Sequence, residues 1–387
     1  MTVRLPVHRV LHLTGTDIVV AAIGRKFLAV NSKNGQILAA PASVLSQIDA
    51  AGAQVIADEE FPDATISLFA LHPETSQLAV SADNKQVACY DVRTWTRLSS
   101  RISIKRASCL SFSKDGGKLL IGDKFGDVYS FKSNDTSDKE ALILGHVSLL
   151  TSMTLTQDGK YLLTGDRDEK IRVSRYPHAF EIEQFCLGHK LFVSSLHIPA
   201  FAPDVLLSGG GDPFLLTWDF MAGKILQQIP LQEADEPVAV SAIVSHPQTK
   251  VVAVVLEKSK NVLMFNASNA RDLQLLQKIT LPTDALSVTF TDEGHLLIAL
   301  APRAEGPLVE LARYAAGSFT LSQGDALTQQ LNAIPTSSDE EMPDFYPTSK
   351  LRKTEVVPNR QQKRKENEGG AKGKNKRAKN GKTETAA

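Results

Sequence analysis

Two Gly-His dipeptides lie one repeat apart in the middle of the chain. Gly145-His146 is followed 43 residues later by Gly188-His189. A period of roughly 40–45 residues is typical of a unit built from four short β-strands. Between the two dipeptides, the apolar run Leu162-Leu163-Thr164-Gly165 precedes a charged stretch, as expected for a strand that ends in a turn. Residues 145–188 are therefore predicted to form one complete repeat.

Each repeat also contains an aspartate about twenty residues after its histidine. The imidazole can donate to the carboxylate, so that both polar groups stay satisfied where neighbouring sheets pack over them. This spacing predicts one pair between His146 and Asp168 and another between His189 and Asp212. The second repeat also contains Trp218-Asp219, the dipeptide typical of WD repeats. The chain is therefore predicted to be an all-β WD40 β-propeller.

The same unit extends in both directions along the chain. Turn aspartates recur at Asp83, Asp123, Asp168 and Asp212, which are 40, 45 and 44 residues apart. Apolar runs before Asp83 and after Trp218 add further strand signals, and residues 7–13 are expected to close the ring against the last blade. Seven blades are predicted over residues 1–335, and six or eight stay open because terminal repeats are atypical.

Composition excludes several classes of protein. Three cysteines without C-x-x-C spacing argue against a disulfide framework or a zinc site and favour a reducing compartment. The longest apolar runs are too short to cross a bilayer, so no membrane association is expected. The chain lacks phosphate-binding glycine loops, nucleophile elbows and metalloprotease motifs. We therefore expect no catalytic residues, no metal and no cofactor bound by this chain.

The net charge of zero conceals an asymmetry. Residues 350–387 contain 13 lysines and arginines against 4 glutamates, so the rest of the chain is acidic. Residues 336–387 are predicted to be a disordered tail, acidic first and basic after, because they contain too little apolar surface to fold alone. Basic clusters of this kind suit nuclear import or RNA contact, and a solvated tail is the alternative. The clustered cations are Lys363, Arg364, Lys365, Lys374, Lys376, Arg377 and Lys379.

Residues 166–172 form an unusually charged turn, in which six of seven residues are ionic. In a propeller this turn and the Gly-His loops open on the same face, which brings the turn near Lys190 and Phe192. Mixed charges beside an aromatic residue suit a protein partner. The alternative is a solvated turn in which Asp168 is structural. The predicted partner-binding residues are Asp166, Arg167, Glu169, Lys170, Arg172, Lys190 and Phe192.

The sequence from Asp166 to Ser174, followed by Phe185-Cys186-Leu187-Gly188-His189 and Phe192-Val193-Ser194, resembles a known family. It is similar to the fungal-type WD-repeat non-catalytic subunit of eukaryotic tRNA (guanine-N7-)-methyltransferase. The charged turn and Ser174, which stands where most repeats have tryptophan, together carry the resemblance. The chain departs from the family at Lys190-Leu191, where Thr-Glu is expected.

The resemblance implies a heterodimer, and the basic tail favours a nuclear location. The catalytic subunit would bind S-adenosylmethionine and methylate N7 of a guanine in the tRNA variable loop, while this chain binds, stabilises and activates it. Lys170 and Arg172, with Asp166 and Arg167 beside them, are the implied contacts to that subunit, and the basic tail adds a contact to tRNA. Two alternatives remain from the sequence: a general nuclear WD scaffold for ribosome assembly or chromatin, and a propeller enzyme with a metal in its central channel.

Overall fold

Short apolar strands joined by tight turns make up almost all of the described chain. The computed structural model describes residues 5–48, 50–56, 61, 64–231, 237, 239–303, 306–322, 324–334 and 344–353. Within these residues the strands form seven sheets, each built from consecutive strands paired with their neighbours in sequence. The predicted seven-bladed β-propeller is therefore confirmed.

The first three blades span residues 9–145. Their strands are β1 (Arg9–Leu13), β2 (Ile18–Ile23), β3 (Lys26–Asn31), β4 (Ile37–Pro41) and β5 (Gln54–Ile56); β6 (Ile66–His72), β7 (Gln77–Ala82), β8 (Gln86–Asp91) and β9 (Thr96–Ile102); and β10 (Ala107–Phe112), β11 (Lys118–Asp123), β12 (Asp127–Lys132) and β13 (Ala141–Gly145). All pairs are antiparallel except β4 with β5, which run parallel.

The other four blades span residues 150–322. Their strands are β14 (Leu150–Leu155), β15 (Tyr161–Asp166), β16 (Lys170–Arg175) and β17 (Ile182–Leu187); β18 (Val193–His197), β19 (Val205–Gly210), β20 (Phe214–Asp219) and β21 (Lys224–Pro230); β22 (Val240–His246), β23 (Val251–Leu256), β24 (Asn261–Asn266) and β25 (Gln274–Thr280); and β26 (Ala285–Phe290), β27 (Leu296–Leu300), β28 (Val309–Ala315) and β29 (Ser318–Ser322).

The sequence of each strand follows its place in the blade. The second strands are continuous apolar runs, such as Val251-Val252-Ala253-Val254-Val255, because neighbouring blades cover both of their faces. The fourth strands lie outermost, and β21 and β25 are half polar with several exposed residues. The core is therefore a ring of apolar clusters between adjacent blades.

The ring closes where blade 1 meets blade 7. The amides of Val10 and His12 in β1 donate to the hydroxyls of Ser287 (3.1 Å) and Thr289 (2.9 Å) in β26. Residues of both blades also share one apolar cluster. Because β1 pairs with β2 in its own blade, the predicted closure by residues 7–13 is achieved by packing against the last blade and not by joining its sheet.

Two short helices extend the apolar cluster that closes the ring. Helix α1 (Ala42–Leu45) lies in the connection before β5 and buries Val44. Helix α2 (Ala326–Ala333) begins after Asp325, whose side chain accepts from the amide of Thr328 at 2.9 Å. Its buried Leu327 and Leu331 join the cluster between blades 1 and 7.

The three cysteines are buried and form no disulfide. Burial raises the pKa of the Cys89 thiol to about 11 and that of Cys109 to about 12, so both stay protonated at neutral pH.

Among the described residues, no helix is long and apolar enough to span a membrane, and no group of three His, Cys, Asp or Glu side chains is placed to hold a metal.

His8 links blade 1 to blade 2 and should make stability depend on pH. Its Nε2 donates to the carbonyl of Ile66 at 2.7 Å, and burial lowers its pKa from 6.5 to about 4. As pH falls, the imidazole of His8 is therefore protonated in the unfolded chain before it is protonated in the folded one. The contribution of His8 to the free energy of unfolding should be complete above pH 6.5 and should fall by about 3 kcal/mol between pH 6.5 and pH 4.

Urea unfolding of the full chain at pH 7 and at pH 4.5 measures this loss. The control is His8→Gln, whose side-chain amide can still donate to Ile66 but does not titrate. The variant should lose less stability than the wild type between the two pH values. Equal losses would show that His8 does not contribute to the pH dependence.

Candidate partner-binding site

The charged turn is held rigidly by its first residue, Asp166. One carboxylate oxygen accepts the backbone amides of Asp168 (2.9 Å) and Lys170 (3.0 Å), and the other meets Nδ1 of His146 at 3.0 Å. Glu169 adopts a φ of 73°, a left-handed conformation that Gly126 adopts in the equivalent turn of blade 3. The backbone of the turn from which the charged side chains project is therefore fixed.

His146 pairs with Asp166, so the predicted His146–Asp168 pair is wrong. The strand register explains the difference: Asp166 in β15 occupies the place of Gly210 in β19. Gly210 has no side chain, and an added Cβ would lie 1.8 Å from the carbonyl oxygen of Phe192. Blade 5 therefore uses an aspartate two residues later, whereas blade 4 has one at the strand end. The regular aspartate spacing consequently mixes three register positions, since Asp123 lies at the strand end, Asp83 one residue after it, and Asp168 and Asp212 two residues after it.

The second predicted pair lies where the sequence placed it. Nδ1 of His189 is 2.8 Å from Asp212, and its Nε2 is 2.7 Å from the hydroxyl of Ser208. The indole of Trp218 donates to the same hydroxyl at 2.7 Å and is fully buried. These four side chains form a continuous polar network inside blade 5.

Blade 4 has no tryptophan at the position of Trp218, and Arg172 bonds to the residue that stands there. Ser174 occupies the register position of Trp218, and Nε of Arg172 donates to its hydroxyl at 2.9 Å. The guanidinium also donates to the carbonyls of Gly145 (3.1 Å) and Ala179 (2.7 Å). Arg172 is only 8% exposed. The prediction that it contacts a partner directly is therefore at odds with its position, because its donors are directed into the blade.

The remaining predicted contact residues divide by exposure. Lys170 and Lys190 are exposed, and Arg167 and Glu169 are half-buried. Phe192 is 2% exposed, so it is not an accessible anchor as predicted. Its ring lies against Gly211, where an added Cβ would come within 2.6 Å of it.

A segment that the sequence assigned to the disordered tail lies on this face of the propeller. We call Asp344–Arg352 the strap. The amides of Thr348 and Ser349 both donate to the carboxylate of Glu257 at 2.6 Å, and the hydroxyl of Tyr346 donates to Asp284 at 2.7 Å. The predicted domain boundary at residue 335 is therefore too early, since the compact unit extends to Arg352.

The strap also covers part of the predicted contact site. Nε of Arg167 donates to the carbonyl of Leu351 at 2.8 Å, and the guanidinium of Arg352 lies 5.9 Å from the centre of the Phe192 ring. The aromatic pair Phe345-Tyr346 could have indicated from the sequence that this segment packs on the propeller, because it is isolated in an otherwise polar stretch. The predicted basic tail residues 363–379 lie outside the described residues.

Sequence reasoning missed a set of exposed apolar side chains beside the charged turn. Phe125 is 66% exposed, Val147 is fully exposed and Leu187 is 64% exposed. They are contiguous with the turn, because Gly126 accepts from the amide of His146 and Leu187 pairs with Lys170 across the sheet. We call Phe125, Val147, Lys170, Leu187 and Lys190 the rim patch. It combines exposed apolar side chains with lysines, and it extends from blade 3 across blade 4 to the loop that enters blade 5.

Comparison with known proteins identifies the family. The profile described as "tRNA methyltransferase TRM82 WD40 domain" matches residues 52–141 and 131–318, which is more than half of the chain. The chain belongs to the TRM82 family. The resemblance inferred from the charged turn is thereby confirmed.

Two curated relatives extend the family assignment along the chain. A Danio rerio protein named tRNA (guanine-N(7)-)-methyltransferase non-catalytic subunit wdr4 is 34% identical over 290 residues, which cover 72% of this chain and 70% of the relative. An Eremothecium gossypii protein named as the TRM82 non-catalytic subunit is 33% identical over 288 residues, which cover 64% of each. The match thus spans less than two thirds of the fungal relative.

Solved structures support the fold of this TRM82 family member. The crystal structure of the RRP9 WD40 repeats aligns with a TM-score of 0.63 at 16% identity and covers 77% of this chain and 88% of that one. At this identity the likeness concerns the propeller alone. The alternative of a general nuclear WD scaffold is not favoured, because the curated relatives are named as non-catalytic subunits of a tRNA methyltransferase.

Proposed function

We propose that this chain is the non-catalytic subunit that binds, stabilises and activates a catalytic tRNA (guanine-N7-)-methyltransferase subunit. Membership of the TRM82 family, whose curated relatives are named as non-catalytic subunits of this enzyme, is the observation that carries the proposal. The catalytic subunit binds S-adenosylmethionine and forms N7-methylguanine in the variable loop of tRNA. This chain supplies a rigid surface and takes no part in the methyl transfer.

The rim patch is the proposed contact with the catalytic subunit. Its exposed apolar residues Phe125, Val147 and Leu187 bury surface on association, and such residues dominate interface energetics when ionic groups surround them. Lys170 and Lys190 supply the charges, which align the partners and speed their encounter. The bonds of Asp166 to His146 and to the Lys170 amide fix the backbone of the turn before binding, so little backbone entropy is lost on association.

The complex is proposed to be a nuclear heterodimer. The basic clusters from Lys363 to Lys379 suit nuclear import and a salt-sensitive contact with tRNA phosphates. Lys190 stands where the family resemblance suggests threonine, and Leu191 where it suggests glutamate, so this loop presents a cation and no carboxylate. This difference favours an acidic patch on the catalytic subunit opposite Lys190.

Reversing the charge of Lys170 tests the proposed contact. Lys170→Glu should reduce co-purification of the catalytic subunit and lower N7-methylguanine in tRNA, because a like-charge contact replaces an attractive one at the interface. We expect about a tenfold or greater loss of affinity, equivalent to at least about 1.4 kcal/mol. Co-expression with tagged full-length chain, followed by nucleoside analysis of tRNA, measures both quantities.

Lys160→Glu is the matched control. Lys160 lies in the same blade and is exposed, but it belongs to the turn between β14 and β15 at the opposite end of the sheet. It should leave capture and methylation unchanged. Full retention of both by Lys170→Glu would remove the rim patch from the interface, and absence of any methyltransferase from wild-type preparations would contradict the proposed function itself.

A further inference from the structure

A cavity of about 470 Å³ lies between the strap and residues of blades 1, 2, 3 and 7. Four cations line it: Arg9 from β1, Arg106 from the loop before β10, Lys124 from the turn after β11, and Lys350 from the strap. Two carboxylates also line it, Asp83 and Asp344. Positive charge is therefore in excess at the cavity wall.

The carboxylates neutralise only part of this charge. Asp344 is 2.7 Å from Nζ of Lys350, and Asp83 is 3.7 Å from the guanidinium of Arg106. Asp83 also accepts the amide of Thr65 at 3.0 Å. Within the part of the chain that the structure describes, neither Arg9 nor Lys124 has a hydrogen-bonded or ion-paired side-chain partner.

Arg9 and Lys124 are partly buried and lie close to other cations that repel them. The pKa of Lys124 is lowered, mainly by burial and then by the nearby cations Arg106 and Lys350. The carboxylates of Asp344 and Asp83 oppose this shift. Burial likewise lowers the pKa of Arg9, against the opposing charge of Glu257. Glu257 is already committed to the strap amides of Thr348 and Ser349. An anion in the cavity would relieve this repulsion.

We propose that this cavity binds a compact, multiply charged phosphate anion. A guanidinium presents paired N–H donors that match phosphate oxygens, and a lysine supplies a strong point charge, so Arg9, Arg106 and Lys124 together suit this chemistry. Thr65 and Ser67 also line the cavity. The site shares no residue with the rim patch, although Lys124 is next to Phe125 in the chain, and anion binding does not require the proposed partner.

The strap favours a compact ligand over a polymer. Phe345 and Pro347 line the cavity from the strap side, and the bonds of Tyr346 to Asp284 and of Thr348 to Glu257 fasten the strap to blades 7 and 6. A polynucleotide backbone would need an open groove through which the chain can pass on both sides. A small oligophosphate needs only the cavity.

Calorimetric titration of the full chain with tripolyphosphate tests the proposal. The wild type should bind, and Lys124→Gln and Arg106→Gln should each weaken binding by about tenfold or more, because each removes a charge-assisted contact. Lys118→Gln is the matched control, since Lys118 is exposed at the opposite end of the same strand β11. Its affinity should equal that of the wild type.

The thermal midpoint of each variant without ligand checks that folding is intact, and Lys124→Arg should restore binding if charge is what matters. Absence of binding by the wild type would overturn the proposal, as would equal weakening by Lys118→Gln. A short single-stranded RNA serves as the competing probe. Tighter binding of that RNA than of tripolyphosphate, with the same dependence on Lys124, would replace the compact anion by an RNA backbone.

Discussion

Trp218→Ala is expected to lower the free energy of unfolding by about 3–5 kcal/mol, the range for removing a large buried aromatic side chain. The indole is fully buried in the cluster between blades 4 and 5, next to Cys186 and Leu206. Its far edge lies against Gly188, where an added Cβ would be 2.8 Å away. Truncation would leave a cavity that this closely packed site cannot fill.

Equilibrium unfolding of the full chain in urea measures the change, and Trp218→Phe separates its two causes. Phenylalanine keeps most of the apolar contact but loses the indole donor to Ser208, so it should cost about 1 kcal/mol for the lost hydrogen bond plus a smaller packing loss. If the alanine variant unfolded at the same urea concentration as the wild type, the network in blade 5 would not stabilise the propeller.

The blade architecture follows from sequence because its signals are local. A continuous apolar strand such as Val251–Leu256 and a turn residue such as Gly126 each act within a few residues. Repetition then supplies the long-range order, since every blade contacts only its neighbours. The His189–Asp212 pair could be placed for the same reason: both residues belong to one blade at a fixed separation.

The sequence predictions are wrong where the structure depends on strand register or on residues distant in sequence. The choice between Asp166 and Asp168 for His146 depends on a shift of two residues at the end of β15, which spacing alone does not resolve. The burial of Phe192 depends on Gly211 packing against it and on Arg352, which is 160 residues away in sequence. No local pattern around Phe192 contains that information.

The strap shows why a domain boundary predicted from composition was placed too early. Residues 336–387 are polar and charged on average, which favours disorder. Docking of Asp344–Arg352, however, depends on a few specific bonds to Glu257 and Asp284 in addition to apolar burial. Such bonds are available only because the propeller presents those carboxylates on one face.

Arg172→Leu is expected to destabilise the chain by about 2–5 kcal/mol, whereas Lys170→Glu should change stability by no more than about 0.5 kcal/mol. The arginine donates to the carbonyls of Gly145 and Ala179, and leucine would leave the buried Ala179 carbonyl, the part-buried Gly145 carbonyl and the buried Ser174 hydroxyl without this donor. Lys170 is exposed, so its substitution affects a surface charge. Thermal and urea unfolding of the two variants without a partner tests the contrast.

The same pair distinguishes how each residue supports the catalytic subunit. Loss of capture by Arg172→Leu should track loss of folded blade 4 and should diminish at low temperature, where more of the chain is folded. Loss of capture by Lys170→Glu should persist at every temperature, because the interface itself has changed. Arg172→Lys is the control: it keeps the charge but not the forked donors, so it should restore stability only in part. An Arg172→Leu chain of wild-type stability that still failed to capture its partner would place the guanidinium at the interface, and would require blade 4 to open on binding.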